Sequence, residues 1–247
     1  MMLRAALAFF TRLPTGSAPL PPTFRGVAAW LPVVGLIVGL IVALAVALTA
    51  TVLPAPLCGV VGCLVWVAVT GGLHLDGVAD CGDGLLVETS PARRLEIMKD
   101  SRLGTFGGTA LFFALAFKAA SLASLASVFT ASPGEFLSLA GACCMAGTLA
   151  RTLVFLAMRI PSARPEGLGE MLRDGVTRRH ELTALAIGLA VCLLNGWRGA
   201  IALIAALFTA RILLSSAQKR LGGVTGDVFG CLIELTECVV LTVCCLL

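Results

Sequence analysis

The sequence predicts an all-α integral membrane protein, a polytopic bundle of about seven transmembrane helices preceded by a short interfacial helix. Of its 247 residues, 58% are hydrophobic and only 13% are charged, and mean hydropathy is +1.00. Soluble domains carry about one quarter charged residues, so this composition is typical of a chain that lives mainly in lipid. The apolar runs leave no room for a separate soluble region, so we expect a single transmembrane domain over residues 1–247.

The apolar segments define the elements in order. Residues 1–12 are short, apolar and bracketed by Arg4 and Arg12, as in a helix lying at the membrane interface. The fifth and sixth longer runs are short enough to form either two spans or one re-entrant pair. In chain order the predicted spans are approximately 27–50, 57–75, 107–129, 135–158, 181–195, 199–216 and 230–247.

The basic residues orient this seven-span arrangement. Arg198 alone falls in a loop on one side, three cations fall inside spans, and the remaining Lys and Arg share the other side. Positively charged loops stay in the cytoplasm, which predicts a cytoplasmic N-terminus and an acidic site that faces the cytoplasm. The net charge of +4 is scattered over loops, and no base-stacking or groove-reading motif is present, so no nucleic-acid partner is expected.

The acid-rich stretch His74–Gly107 interrupts the apolar pattern. Asp76, Asp80 and Asp83 are spaced i, i+4 and i+7, so on a helix they share one face. Like charges at this spacing repel, and a divalent cation with oxygen ligands is the usual compensation. The plainer interpretation is a solvated acidic loop, but acids directly at the end of a span are costly without a ligand.

A second polar motif precedes the next apolar run. Lys99, Ser101, Arg102 and Thr105 combine cations and hydroxyls just before a helix, which indicates a phosphate-binding segment. The same residues are also typical of an ordinary polar helix end, and both interpretations stay open. His74, next to the acidic stretch, is more typical of a hydrogen-bonding support than of a metal ligand or base.

A third motif enters the last apolar run. Asp227, Glu234 and Glu237 are spaced i, i+7 and i+10, and the two glutamates lie among Ile, Leu and Val. Acids inside a membrane helix are usually functional. The structural alternative is neutralisation by the cations inside other spans, Lys118, Arg151 or Arg211.

Together these motifs resemble one family. FTRLP (Phe10–Pro14), GGLHLDGVADCGDG (Gly71–Gly84), KDSRLGTFG (Lys99–Gly107) and GGVTGDVFG followed by ELTE occur in the order seen in cobalamin synthases, the adenosylcobinamide-GDP ribazoletransferases. The resemblance extends from the N-terminus to the last span, and its two long acidic and basic blocks are specific. It implies a multi-pass protein of the bacterial inner membrane.

The resemblance also implies an activity. A Mg²⁺-dependent transferase of this family joins α-ribazole, or its 5′-phosphate, to adenosylcobinamide-GDP, releasing GMP and forming adenosylcobalamin or its 5′-phosphate. Carried over residue by residue, the family motif makes Asp76, Asp80 and Asp83 the expected metal ligands. The DGxxxD pattern is also similar to CDP-alcohol phosphotransferases, but Asp80 stands where their signature has Arg, so that likeness is an analogy.

These roles make a mechanistic hypothesis. Mg²⁺ ions would clamp the attacked and leaving oxygens, Lys99 and Arg102 would hold phosphate charge, and Asp83 or Asp100 would accept the proton. The other residues expected at the substrate are His74, Ser101, Thr105, Asp227 and Glu234.

Further expected partners are the lipid bilayer, other corrin-pathway enzymes and a second copy of the chain. The rival interpretation is an ion transporter that uses the charges inside the spans. It is disfavoured because no inverted repeat is evident and the charges crowd at one face.

Overall fold

The computed structural model describes residues 1–17, 25–164 and 167–246, and within them the chain is all-helical, without β-strands. The fold class predicted from composition is therefore confirmed. The N-terminal helix predicted over residues 1–12 is present, whereas its position at the membrane interface stays a prediction. The helices are α1 (Met2–Phe10), α2 (Leu31–Thr49), α3 (Ala55–Thr70), α4 (Leu73–Leu86), α5 (Pro91–Ile97), α6 (Thr105–Ala131), α7 (Phe136–Ala157), α8 (Leu168–Arg173), α9 (Arg178–Leu194), α10 (Gly196–Leu221) and α11 (Gly226–Leu246).

Five helices are long and apolar enough to cross a membrane: α2 with the turn before it, α6, α7, α10 and α11. The pair α3–α4 makes a sixth candidate if it counts as one broken span. Helix α9 has 17 residues, fewer than the roughly 20 that a span usually needs. Within the described ranges the predicted count of seven spans is therefore not confirmed, although the chain is a multi-pass membrane protein.

The second predicted span is broken by two glycines. Gly71 and Gly72 have φ angles of 67° and 72°, a left-handed conformation that costs a residue with a side chain but not glycine. The chain turns there by 97° between α3 and α4. The acidic stretch, which interrupts the apolar pattern of the sequence, therefore begins in a new helix, α4. The change of direction from α3 comes before Asp76.

Small residues allow the helices to approach one another closely. A side chain at Gly35 or Gly39 of α2 would overlap the backbone of Gly147 or Cys143 of α7. Such small-residue contacts favour helix association where lipid provides no hydrophobic driving force. Helix α3 packs along α6, and α11 lies at the centre, in contact with α4, α6, α7 and α10.

Replacing Gly35 by alanine tests the α2–α7 contact. The added methyl group overlaps the Gly147 carbonyl, so we expect the thermal-unfolding midpoint in detergent to fall, equivalent to about 1–3 kcal/mol. Gly108→Ala in α6 is the matched control, because the atom nearest to its new Cβ is 3.7 Å away. Alanine is the better helix former, so the control should be neutral or stabilising. Equal effects of the two substitutions would contradict the close contact.

Candidate functional site

Helix α4 presents the three predicted aspartates. Asp76 is exposed, and Asp80 and Asp83 are partly exposed, so the predicted helical stripe is confirmed as a geometric arrangement.

Two arginines hold the end of this helix. Arg94 Nη1 donates to the carbonyls of Gly84 and Leu85 at 2.9 Å each, and Arg220 Nη1 donates to Leu85 at 2.7 Å. Cations at a helix C-terminus satisfy free carbonyls and oppose the helix dipole.

The beginning of α11 meets α4 beside these aspartates. A side chain at Gly77 of α4 would overlap the carbonyl oxygen of Asp227, so the two backbones touch there. The Asp80 carboxylate is close enough to Asp227, Asp76 and Asp83 for each to act on it electrostatically. The structure therefore brings Asp227, more than 140 positions along the chain from Asp80, to the predicted acidic site. We call Asp76, Asp80 and Asp227 the acidic cleft.

A residue that the sequence analysis did not identify, Arg164, balances part of this negative charge. Its Nη1 donates to Asp227 Oδ2 at 2.9 Å, and its Nη2 donates to the Leu95 carbonyl at 3.1 Å. The hydroxyl of Thr225 also lies 3.2 Å from Asp227 Oδ2. Arg164 thus joins α11 to the end of α5. No local pattern in the sequence distinguishes it from other loop arginines.

Asp83 has a different environment from its two neighbours on α4. Its carboxylate accepts the backbone N–H of Gly104 at 2.7 Å and of Gly107 at 2.8 Å. These groups begin α6, which has no side-chain cap of its own, so Asp83 caps that helix from α4 and opposes its dipole. Asp83, the predicted metal ligand and base, thus accepts hydrogen bonds from backbone donors. It fixes the segment that is predicted to bind phosphate beside the acidic cleft.

The motif after α5, residues 99–105, is exposed and contains an ion pair. Arg102 Nη2 lies 2.6 Å from Asp100 Oδ2, and Lys99, Ser101 and Thr105 face solvent. Hydrogen bonds from Arg102 lower the pKa of Asp100 to about 2, which makes this predicted proton acceptor a weak base near neutral pH. The motif borders an open cavity of about 460 Å³ together with Asp83. Phosphate binding there stays a prediction.

The acidic cleft provides the ligand chemistry that Mg²⁺ prefers. Its side chains are carboxylates, and the ion typically uses one or two of them together with water and substrate phosphates. Within residues 1–17, 25–164 and 167–246, no three His, Cys, Asp or Glu side chains form a ready-made metal cage. These carboxylates therefore fit an ion whose remaining ligands are water and substrate phosphates. Metal binding by Asp76, Asp80 and Asp83 together stays a prediction.

The acids of α11 lie in a separate, buried network. Lys118 contacts Glu234 and, at 2.6 Å, Glu237, while Arg151 contacts the other oxygen of Glu237. All four side chains are at most 2% exposed. This is the alternative that the sequence left open, with Lys118 and Arg151 as the neutralising cations and Arg211 outside the network. The geometry does not support the predicted contact of Glu234 with substrate, because Lys118 already pairs with it. Charges paired in this way also do not suit the ion path of the rival transporter interpretation.

His74 lies between this network and the acidic cleft. It is 3% exposed, and neither ring nitrogen has a hydrogen-bond partner among the residues that the structure describes. Lys118, Arg151 and Glu237 are close enough to influence it electrostatically. The support role expected for His74 therefore finds no hydrogen-bond partner within residues 1–17, 25–164 and 167–246.

Asp83→Ala tests the capping interaction. Losing a cap costs about 0.5–2 kcal/mol, and the motif should detach from α4. We therefore expect trypsin to cleave after Lys99 and Arg102 several-fold faster in the variant than in the wild type, measured by mass spectrometry. Asp76→Ala on the same helix is the control and should keep the wild-type rate. Equal rates for Asp83→Ala and wild type would contradict this role.

Lys118→Met tests the buried network. Removing one partner leaves buried carboxylates uncompensated, which costs about 3–5 kcal/mol, so the thermal midpoint in detergent should fall sharply. The double variant Lys118→Met/Glu234→Leu removes one charge of each sign and should recover part of that loss. A double variant no more stable than the single one would show that the pairing does not matter.

Comparison with known proteins identifies the family. The family model described as cobalamin-5-phosphate synthase matches residues 2–245. Relatives named adenosylcobinamide-GDP ribazoletransferase from Escherichia coli (strain K12) and Syntrophobacter fumaroxidans are each 37% identical. The first alignment covers 96% of both chains, and the second covers 96% of this chain and 95% of its relative. No solved structure matches. This chain belongs to the cobalamin-5-phosphate synthase family.

Proposed function

We propose that this protein joins α-ribazole, or its 5′-phosphate, to adenosylcobinamide-GDP with release of GMP, a step in assembling the nucleotide loop of cobalamin. Family membership over residues 2–245 supports the reaction. The observation that carries the site is the acidic cleft, where α4 and α11 present carboxylates beside a basic, phosphate-binding motif that Asp83 docks.

Asp76, Asp80 and Asp227 are the residues that would hold Mg²⁺. When bound, the ion supplies positive charge to the phosphoryl oxygens and the departing phosphate. Asp83 is left out of this set because both of its oxygens accept backbone hydrogen bonds, whereas the contacts of Asp227 with Arg164 and Thr225 both fall on Oδ2. Arg164 keeps Asp227 in place through its contact at 2.9 Å. This assignment replaces Asp83 by Asp227 in the metal site that the resemblance implies.

The basic motif would bind the pyrophosphate of the nucleotide substrate. Lys99 and Arg102 offer charge, and Ser101 and Thr105 offer hydroxyl donors, all on the exposed face of the motif. Because Arg102 is paired with Asp100, phosphate would compete with that carboxylate for the guanidinium. A planar guanidinium binds phosphate oxygens in pairs.

The bond changes follow from the substrates. A ribose hydroxyl oxygen of α-ribazole attacks the phosphorus that carries the cobinamide group. The bond from that phosphorus to the bridging oxygen breaks, and GMP departs. The hydroxyl proton is transferred only late, since phosphoryl transfer has a loose transition state. Asp83 and Asp100 stay the predicted acceptors, although both carboxylates are engaged by hydrogen-bond donors.

The proposed setting is the bacterial inner membrane, with the acidic cleft on the cytoplasmic side. The excess of Lys and Arg in the loops on the side of the cleft supports this orientation. The bilayer is then a direct partner, and contacts with other corrin-pathway enzymes or with a second copy remain part of the proposal.

The direct test is GMP release from adenosylcobinamide-GDP by purified protein in lipid. We expect release to need both α-ribazole and Mg²⁺, and to stop on addition of a chelator. Asp80→Asn and Asp76→Asn should each lower the rate at least a thousandfold, because neutral amides bind Mg²⁺ poorly. Each variant should still insert and purify.

Glu135→Gln is the matched control, since this exposed acid lies in the loop between α6 and α7. It should keep the wild-type rate. No GMP from correctly inserted wild-type protein would reject the proposed function, and near-normal rates in Asp80→Asn would reject the site.

A further inference from the structure

A second cavity opens beside the acidic cleft and extends into the helical bundle. Its volume is about 280 Å³, and it lies between α4, the segment around α8, and the first turns of α11. His74, Asp76, Arg164 and Asp227 line it together with apolar side chains from α1, α2, α7 and α11. Of this lining, the proposed metal site uses only the charged residues Asp76, Arg164 and Asp227.

The lining of the cavity has an exposed, charged part and a buried, apolar part. Asp76 is exposed, and the side chains of Arg164 and Asp227 are 20% and 24% exposed. Other lining residues are buried and apolar: Phe10, Leu31, Val154, Phe229 and Ile233. A ligand that fits must therefore be amphipathic, with its polar part at the cleft and a hydrophobic part inside.

His74 is a buried polar group in the lining of the cavity. Its two ring nitrogens are buried without a hydrogen-bond partner in the part of the chain that the structure describes. An unsatisfied buried polar group costs about 1–3 kcal/mol, and a neutral imidazole offers one N–H donor and one acceptor. A ligand with a free acceptor nitrogen in its apolar part would satisfy the N–H and so remove part of this cost.

The size and lining select between the two substrates of the proposed reaction. The corrin macrocycle of the cobinamide is far too large for this volume, whereas a bicyclic base fits. Guanine presents several donors and acceptors along its edges, and a lining in which apolar side chains predominate suits it less well than a methylated base. The dimethylbenzimidazole base of α-ribazole has apolar methyl groups and one free ring nitrogen, and its ribose bears the reacting hydroxyl.

We propose that this cavity is the acceptor subsite, in which His74 donates a hydrogen bond to the free ring nitrogen of the benzimidazole base. The ribose then lies at the mouth, next to Asp76, Asp227 and Arg164, so the reacting hydroxyl faces the acidic cleft. His74 is a binding residue that selects the base. This inference rests on the proposed function and adds the location and recognition of its acceptor.

Binding measurements test the subsite without turnover. Isothermal titration calorimetry on the purified wild-type protein compares α-ribazole with its indole analogue, in which a C–H group replaces the free ring nitrogen. We expect the analogue to bind about tenfold more weakly, the effect of one lost hydrogen bond. Because only the ligand changes, the comparison does not depend on a variant that folds. Equal affinities, or no binding of α-ribazole, would overturn the subsite.

His74→Leu completes a double-mutant cycle. This variant should bind α-ribazole about tenfold more weakly and should no longer distinguish it from the indole analogue. His180→Leu is the matched control, because the other histidine lies at the start of α9 outside this cavity, and it should keep the discrimination. GMP should not displace α-ribazole. Retained discrimination in His74→Leu, or displacement by GMP, would overturn the assignment.

The turnover assay separates this inference from the proposed function. GMP release by a protein that binds both nucleosides equally would leave the function standing and reject the subsite. Discrimination of the nucleosides without GMP release would support the subsite and reject the transferase reaction.

Discussion

The buried charge network between α6, α7 and α11 is the constraint on which the arrangement of the helices around the acidic cleft depends. Lys118, Arg151, Glu234 and Glu237 come from three helices and are at most 2% exposed. Breaking one such pair leaves an uncompensated charge in a medium of low dielectric constant. The network therefore fixes the axial position of α11, and α4 packs on α11 through glycine contacts. The geometry of the acidic cleft follows from that chain of contacts.

At the end of the bundle that carries the acidic cleft, charged side chains form hydrogen bonds with the backbone groups of helix ends. Asp83 caps the N-terminus of α6, whereas Arg94 and Arg220 satisfy carbonyls at the end of α4. The aspartates of α4 consequently divide into two groups. Asp83 is engaged in holding the bundle together, and Asp76 and Asp80 face the cleft. A stripe that looks uniform in sequence thus performs two physical tasks.

Local spacing was enough to predict the aspartate stripe, and composition was enough to predict the helical, membrane-embedded fold. Neither was enough for features made by distant segments. The cap formed by Asp83 on Gly104 and Gly107 joins two helices across a loop. Whether Glu234 contacts substrate or pairs with a buried cation depends on whether Lys118 lies opposite it in the fold. The sequence left both possibilities open. The apolar run over 57–75 also favoured a continuous second span, because hydropathy does not register the turn at Gly71–Gly72.

The central claim is that α4 and α11 together form the metal site, and Mn²⁺ binding tests it most directly. Electron paramagnetic resonance can titrate Mn²⁺, as a substitute for Mg²⁺, into wild-type protein and into Asp80→Asn and Asp227→Asn variants in lipid. The account predicts that each substitution weakens binding at least tenfold, since each removes a carboxylate ligand. Wild-type affinity in Asp227→Asn would contradict it and would place the ion on α4 alone.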